Sequence, residues 1–238
     1  RTYHIYNKLN VLLWIPAFDQ RRGSTGPVIT RRQFNRLAAG VGAGLVAAGA
    51  GTAWASPKRY QPIRKGDGHY TQPWFLDSFL EFKDDLDAAR EKSKRFAVIW
   101  ELEGCPYCRE MHFVNFSIPE ISDYIKANFD IVQLDIKGAR EVTDFDGKVM
   151  PEKKLAKLYD VSYTPTIQFF AETTDGFEKP GGRKKIEVAR MPGYLRPFHF
   201  LAMFQYVREK AYETTDYRSS LQGQFNPQIK GGKEVPSW

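Results

Sequence analysis

The apolar positions of this chain change period several times, and each change marks an element. Phe79, Phe82, Leu86 and Ala89 recur at helical spacing and form one apolar face. Asp77 is the expected cap of that helix, and Lys92-Ser93-Lys94-Arg95 its expected end. Phe96-Ala97-Val98-Ile99-Trp100 is an unbroken apolar run, the pattern of a strand buried on both faces. Pro106 suits a first helical turn, where its missing N–H costs nothing. A helix is therefore predicted from Pro106 to Phe116, and a second from Pro119 to Asn128. Phe129 to Ile136 alternates like a strand. Lys137 to Pro151 is polar, contains Asp146-Gly147 and reads as an inserted loop or small hairpin. Glu152 to Tyr159 is a short helix, Thr166 to Phe170 a strand and Lys185 to Arg190 another. Thr174-Asp175-Gly176 and Gly181-Gly182 supply turns between the last two. Pro197 opens a final helix with Phe200, Leu201, Phe204 and Val207 on one face.

This order predicts an α/β fold with a mixed central sheet and helices on both faces, in one domain. The domain is expected over residues 76–212, with residues 137–151 as an insertion. Residues 56–75, rich in Pro, Gly and charge, read as an extended leader. Residues 213–238 read as a polar tail, loose or draped over the domain. The aromatics Phe169, Phe170, Phe200 and Phe204 are expected in the core, and Arg183-Lys184-Lys185 on a solvated turn.

The formal charge of +7 belongs to one end of the chain. Residues 1–55 hold seven of the 35 Lys/Arg and one of the 28 Asp/Glu, so the remainder is near balance. That distribution argues against nucleic acid as a partner. Arg31-Arg32-Gln33-Phe34 precedes an Ala/Gly/Leu/Val run from Leu37 to Ala53, which ends in Ala53-Trp54-Ala55. A charged start, a mildly apolar centre and a small-residue exit make an export signal, here resembling the twin-arginine type. Cleavage is expected after Ala55, which would place the mature protein in the periplasm. The alternative is an uncleaved membrane anchor, for which the Gly-broken run is short. Residues 1–29 fit no signal, and a start near Val28 is the expectation drawn from that.

The chain has two cysteines, three apart, in Cys105-Pro106-Tyr107-Cys108. That pair is either a redox couple or half of a metal site. With His112 it makes a C-x2-C-x3-H spacing, but zinc takes about four ligands and no second Cys/His pair exists. No metal is expected, and His112 reads as a surface or packing residue. Attachment of c-type haem needs His directly after the second cysteine, where Arg109 stands, so no haem is expected. A cysteine pair after a buried strand and at the start of a helix suits thiol chemistry. Helix-start N–H groups stabilise an anion, which favours the thiolate of Cys105. Cys105 is then the nucleophile, and Cys108, one turn on, the resolving thiol.

The motif, its context and Val161-Ser162-Tyr163-Thr164-Pro165-Thr166 together resemble the thioredoxin superfamily over about Leu76 to Lys210. The resemblance implies a thioredoxin-like fold, a cis Pro165 facing the cysteines, and Thr164, Pro165 and Gly193 as the substrate groove. It implies no cofactor beyond the redox-active disulfide of Cys105 and Cys108. Pro106 and Tyr107 would tune the potential, and Tyr107 would stand exposed beside Cys105 as a partner contact or cover the helix start. Cys105 to His112, Leu134-Asp135-Ile136, Thr164-Pro165 and Gly193-Tyr194 look like the exported SoxW-type proteins of bacterial sulfur-oxidation systems. That implies a monomer that reduces the disulfide of a periplasmic partner protein and is itself reduced by a membrane thiol donor. One departure stands out. The family's buried acid, six residues before the first cysteine, is replaced by Ile99. Glu101, of the same strand parity, is a candidate proton acceptor for Cys108; the alternative is a strand-end carboxylate facing water. Competing functions are a periplasmic disulfide oxidase or isomerase and a non-catalytic thioredoxin-fold binding module.

Overall fold

A computed structural model of the chain describes residues 59–178 and 182–230. The export signal and residues 231–238 lie outside these. Two short strands come first, β1 (Ile63–Arg64) and β2 (Tyr70–Thr71), paired antiparallel. The segment expected as an extended leader is thus a hairpin, and its Gln72 is buried. Helix α1 (Phe82–Glu91) leads into β3 (Arg95–Glu101), every residue of which is buried. The helix α2 (Pro106–Glu110) carries the cysteine motif and continues as a π-helical turn, Met111–Asn115. Helix α3 (Pro119–Asn128) and strand β4 (Phe129–Asp135) follow. The inserted stretch is a hairpin of β5 (Glu141–Thr143) and β6 (Val149–Pro151), and α4 (Glu152–Leu158) comes next. Then come β7 (Thr166–Phe170), α5 (Gly182–Ile186), β8 (Glu187–Pro192), α6 (Pro197–Arg208) and α7 (Tyr217–Lys230).

The main sheet runs β4-β3-β7-β8, with β3 parallel to β4 and the other pairs antiparallel. It is a mixed sheet in one domain, as its order of elements implies. Alternation along β3 sorts the core. Phe96, Val98 and Trp100 face the layer that holds Phe82, Leu86 and Leu155. Ala97 and Ile99 face Met111, Phe116, Ile121, Phe200 and Phe204. All four aromatics expected in the core are buried.

Four expectations need correction. Asp77 does not cap α1; Glu81 holds the cap position, and Phe79 is 98% exposed. Leu80 takes a left-handed φ of 63° and turns its side chain into the core in place of Phe79. The Ser78 hydroxyl accepts from the Leu80 N–H at 2.6 Å and holds that turn. The helix after the cysteines widens from Met111, where the Phe116 N–H reaches back to the Met111 carbonyl. Arg183 is not on a free turn. It lies in α5 and donates to Asp144, which is buried and also accepts from the Tyr159 hydroxyl at 2.7 Å. Finally, the tail expected to be loose or draped over the domain is helical over residues 217–230, and Tyr217 donates to the His199 carbonyl at 2.8 Å. No helix among the described residues is long and apolar enough to cross a membrane.

Ser78 also donates to Asp85 in the first turn of α1. Burial, ahead of the opposing Ser78 bond and the charges of Asp84, Asp130 and Glu81, pushes the Asp85 carboxyl up from 3.8 to about 6. A raised acid binds more protons folded than unfolded, so its ionisation weakens the fold as pH rises from about 4 through 6. Asp85→Asn should therefore raise Tm at pH 7.5 and change it little at pH 3.5. Thermal melts of both proteins across that range check this.

Candidate functional site

Register builds the site. In the antiparallel pair, Trp100 stands opposite Thr166, so the end of β3 and the start of β7 meet at one edge. The chain leaves β3 at Glu101, turns at Gly104 with φ 73°, and enters α2. Cys105 occupies the cap position and Pro106 the first helical one. From the other side, Thr166 pairs with Pro192, which brings Gly193 beside Pro165. The Thr164–Pro165 bond is cis, and Pro165 is buried. The Gly193 N–H donates to the Pro165 carbonyl at 2.7 Å, with Gly193 at φ 79°.

Cys105 and Cys108 form a disulfide with Cα atoms 5.3 Å apart. Their exposure differs: Cys105 is half-buried, while Cys108 is 5% exposed. An incoming partner sulfur therefore meets Cys105 first. The Cys108 N–H points at the Cys105 sulfur, 3.1 Å away, and the Thr164 hydroxyl reaches it at 3.5 Å. The Thr164 carbonyl lies 3.6 Å from the same sulfur. Two donors aimed at one sulfur favour it as a thiolate once the disulfide opens. Tyr107 is 62% exposed and stacks on Tyr194, ring centroids 6.5 Å apart. These rings with Tyr163, Thr164, Pro192 and Gly193 line an apolar groove of about 590 Å³ beside Cys105. Arg109 does not reach the sulfurs by any bond; its guanidinium lies over the Phe113 ring, 4.5 Å from the centroid.

This arrangement is a thiol–disulfide exchange centre: a surface sulfur, a sulfur beneath it and a cis-proline wall. The family model of the thioredoxin-like domain matches residues 82–208, more than half of the chain. The chain belongs to the thioredoxin-like family. At a general level it is a thiol–disulfide oxidoreductase. Among solved structures, a thioredoxin-fold protein from Helicobacter pylori is 24% identical, over 58% of this chain and 83% of that one, with a TM-score of 0.45. A thioredoxin from Thermus thermophilus is 24% identical over 53% and 83%, with a TM-score of 0.38. The C-terminal domain of DsbD from Neisseria meningitidis, in its oxidised form, is 18% identical over 52% and 90%, at 0.33. No curated protein matches the chain.

Behind the disulfide, a cleft of about 340 Å³ is lined by Glu101, Cys108 and His112 among others. Glu101 is 1% exposed, so it is not a strand-end carboxylate facing water. Its Oε1 lies 2.9 Å from Nε2 of His112, and its Oε2 accepts from the Gln133 amide. His112 is fully buried and bonded rather than on the surface. Its other ring nitrogen, Nδ1, meets the Gln72 amide nitrogen at 3.1 Å. The residues missed from sequence are His112, Gln72 and Gln133. His112 carried a usable signal, since four residues after Cys108 is the same helical face. Gln72 and Gln133 carried none, because only the folded hairpin and β4 bring them to the site. Among the described residues no group of three or more His, Cys, Asp or Glu could hold a metal ion.

At Gly193 an added Cβ would meet no atom within 4 Å, so substitution strains only the backbone. Gly193→Ala should cost about 1–2 kcal/mol and lower Tm by a few degrees. By displacing the Pro165 wall it should also raise KM for a protein disulfide more than it lowers kcat. Melting curves and steady-state kinetics on the same preparation check both.

Proposed function

We propose that this protein is a periplasmic reductant that keeps the cysteines of one dedicated partner reduced, as the SoxW-type proteins it resembles would. The observation that carries the reading is the half-exposed Cys105 over a buried Cys108, opposite Thr164 and Pro165. In the reduced protein the Cys105 thiolate attacks a partner disulfide and releases one partner thiolate. Cys108, deprotonated, then attacks Cys105. The Cys105–Cys108 bond forms, the bond to the partner breaks, and the partner leaves carrying two electrons. A membrane thiol donor restores the dithiol.

The groove formed by Tyr107, Tyr163 and Tyr194 seats the partner's chain beside Cys105. Glu101, the candidate proton acceptor, is the buried carboxylate of the cleft that Cys108 also lines, and its charge favours proton loss from Cys108 there. Export rests on Arg31-Arg32 and the run that ends at Ala55.

The protein should accelerate reduction of insulin by dithiothreitol, and Cys105→Ser should abolish the acceleration. No acceleration by the wild type would favour a binding module. In Cys108→Ala the mixed disulfide on Cys105 persists, and mass spectrometry of periplasmic adducts should find one or two proteins. A broad set of unrelated proteins would instead indicate an oxidase or isomerase. Replacing both Arg31 and Arg32 by Lys should leave the precursor in the cytoplasm, which cell fractionation reads.

A further inference from the structure

The proton leaving Cys108 needs a place inside the protein, and the bonds around Glu101 make that carboxylate a poor final site. Both of its oxygens already accept: Oε1 from His112 and Oε2 from Gln133. A proton added to either oxygen would share that oxygen with a donor already bonded to it. The imidazole offers a better place. An amide nitrogen only donates, so Nδ1, facing the Gln72 nitrogen, accepts, and Nε2 carries the hydrogen that goes to Glu101. The pair is then a neutral imidazole beside an ionised carboxylate. The oxygen of the same amide, Gln72 Oε1, is buried and has no hydrogen-bond partner among the described residues. A half-turn of the amide brings that oxygen opposite Nδ1, where it would accept from a newly protonated Nδ1–H.

We propose that His112 stores the proton that Cys108 gives up, that Glu101 holds the imidazole and balances its charge, and that the Gln72 amide turns to match each state. The proposal rests on the reading of Cys108 as the resolving thiol. His112 and Gln72 are positioning residues in this scheme, since neither touches the reacting sulfurs. The pair is shielded on one side by the rings of Phe75 and Phe116, whose centroids lie 5.9 and 5.5 Å from that of the imidazole. Both residues line the cleft, which is large enough for the water that would carry the proton. The other charged or titratable groups lining the cleft, besides the two cysteines, are Arg64, His69, Tyr70, Glu103 and Arg109, and Asp135 is the register neighbour of Glu101 on β4. In the balanced step, Cys108–SH loses its proton to Nδ1 through the cleft. The thiolate attacks Cys105 and the disulfide forms. The partner sulfur leaves with the bonding electron pair and recovers a proton from the imidazolium.

Reduced protein mixed with 5,5′-dithiobis(2-nitrobenzoate) releases two coloured thiolates in sequence, the first by attack of Cys105 and the second by attack of Cys108. His112→Gln keeps a donor toward Glu101 but holds no second proton. It should slow the second release about a hundredfold at pH 7, within the range for general acid–base groups, and leave the first within about twofold. Its second release should rise in proportion to hydroxide from pH 5 to 9, where that of the wild type levels off. Gln72→Met leaves His112 and Glu101 in place, and should give the same change of pH profile with a loss of about threefold to tenfold. It carries the test alone if His112→Gln does not fold. Second-release profiles that superimpose on the wild type, or equal slowing of both releases, overturn the proposal alone. A wild type that releases only one thiolate overturns the resolving role of Cys108 and the proposal with it.

Discussion

The site depends on the burial of one strand. All seven residues of Arg95–Glu101 are shielded from water, and both neighbours are set by register against it. An apolar strand covered on both faces has one register in which its side chains interdigitate with the helices above and below. That register puts the turn after Glu101 opposite the turn before Thr166. Cys105 and Thr164 face each other because Phe96, Val98 and Trp100 pack one way and Ala97 and Ile99 the other.

The same constraint explains how a carboxylate came to be buried. Glu101 continues the parity of Ala97 and Ile99, so it points into the helix layer rather than to solvent. A lone buried carboxylate there would be strongly disfavoured. It is tolerated because His112, Gln133 and the chain of β2 form a bonded cage, with the Gln133 amide donating also to the Tyr70 carbonyl at 2.6 Å. The N-terminal hairpin is therefore part of the redox centre and not a leader to it. It contributes Gln72 to the cage and His69 to the cleft wall.

A second polar anchor lies in the insertion. Asp144 in the inserted hairpin is buried and accepts from both Tyr159 and Arg183, which ties the insertion to α4 and α5. Burial, with the charge of Asp144, pushes the Tyr159 hydroxyl up, so it remains a donor to that carboxylate. Arg95 does similar work under the sheet, donating to the Phe170 carbonyl and the Tyr212 hydroxyl, both at 3.0 Å. These groups tie together elements that are distant in the sequence.

The chain by itself determined the strands β3, β4 and β7, helices α3 and α6, the cysteine motif at a helix start and the place of the insertion. These follow from periodicity and from proline and glycine placement, which act over a few residues. The family resemblance added the cis proline and Gly193, which local propensity does not favour or locate. What only the tertiary structure decided involves groups far apart in sequence. Phe79 lost its place in the core to Leu80 because a left-handed turn held by Ser78 reversed the helical phase. Arg183 was drawn from a free turn because a buried Asp144, some forty residues earlier, needed a cation. His112 became part of the centre because Glu101 had already been turned inward and had to be satisfied. Periodicity states which side of an element is buried; it does not state which polar group waits on the other side, and that is set only when distant elements pack.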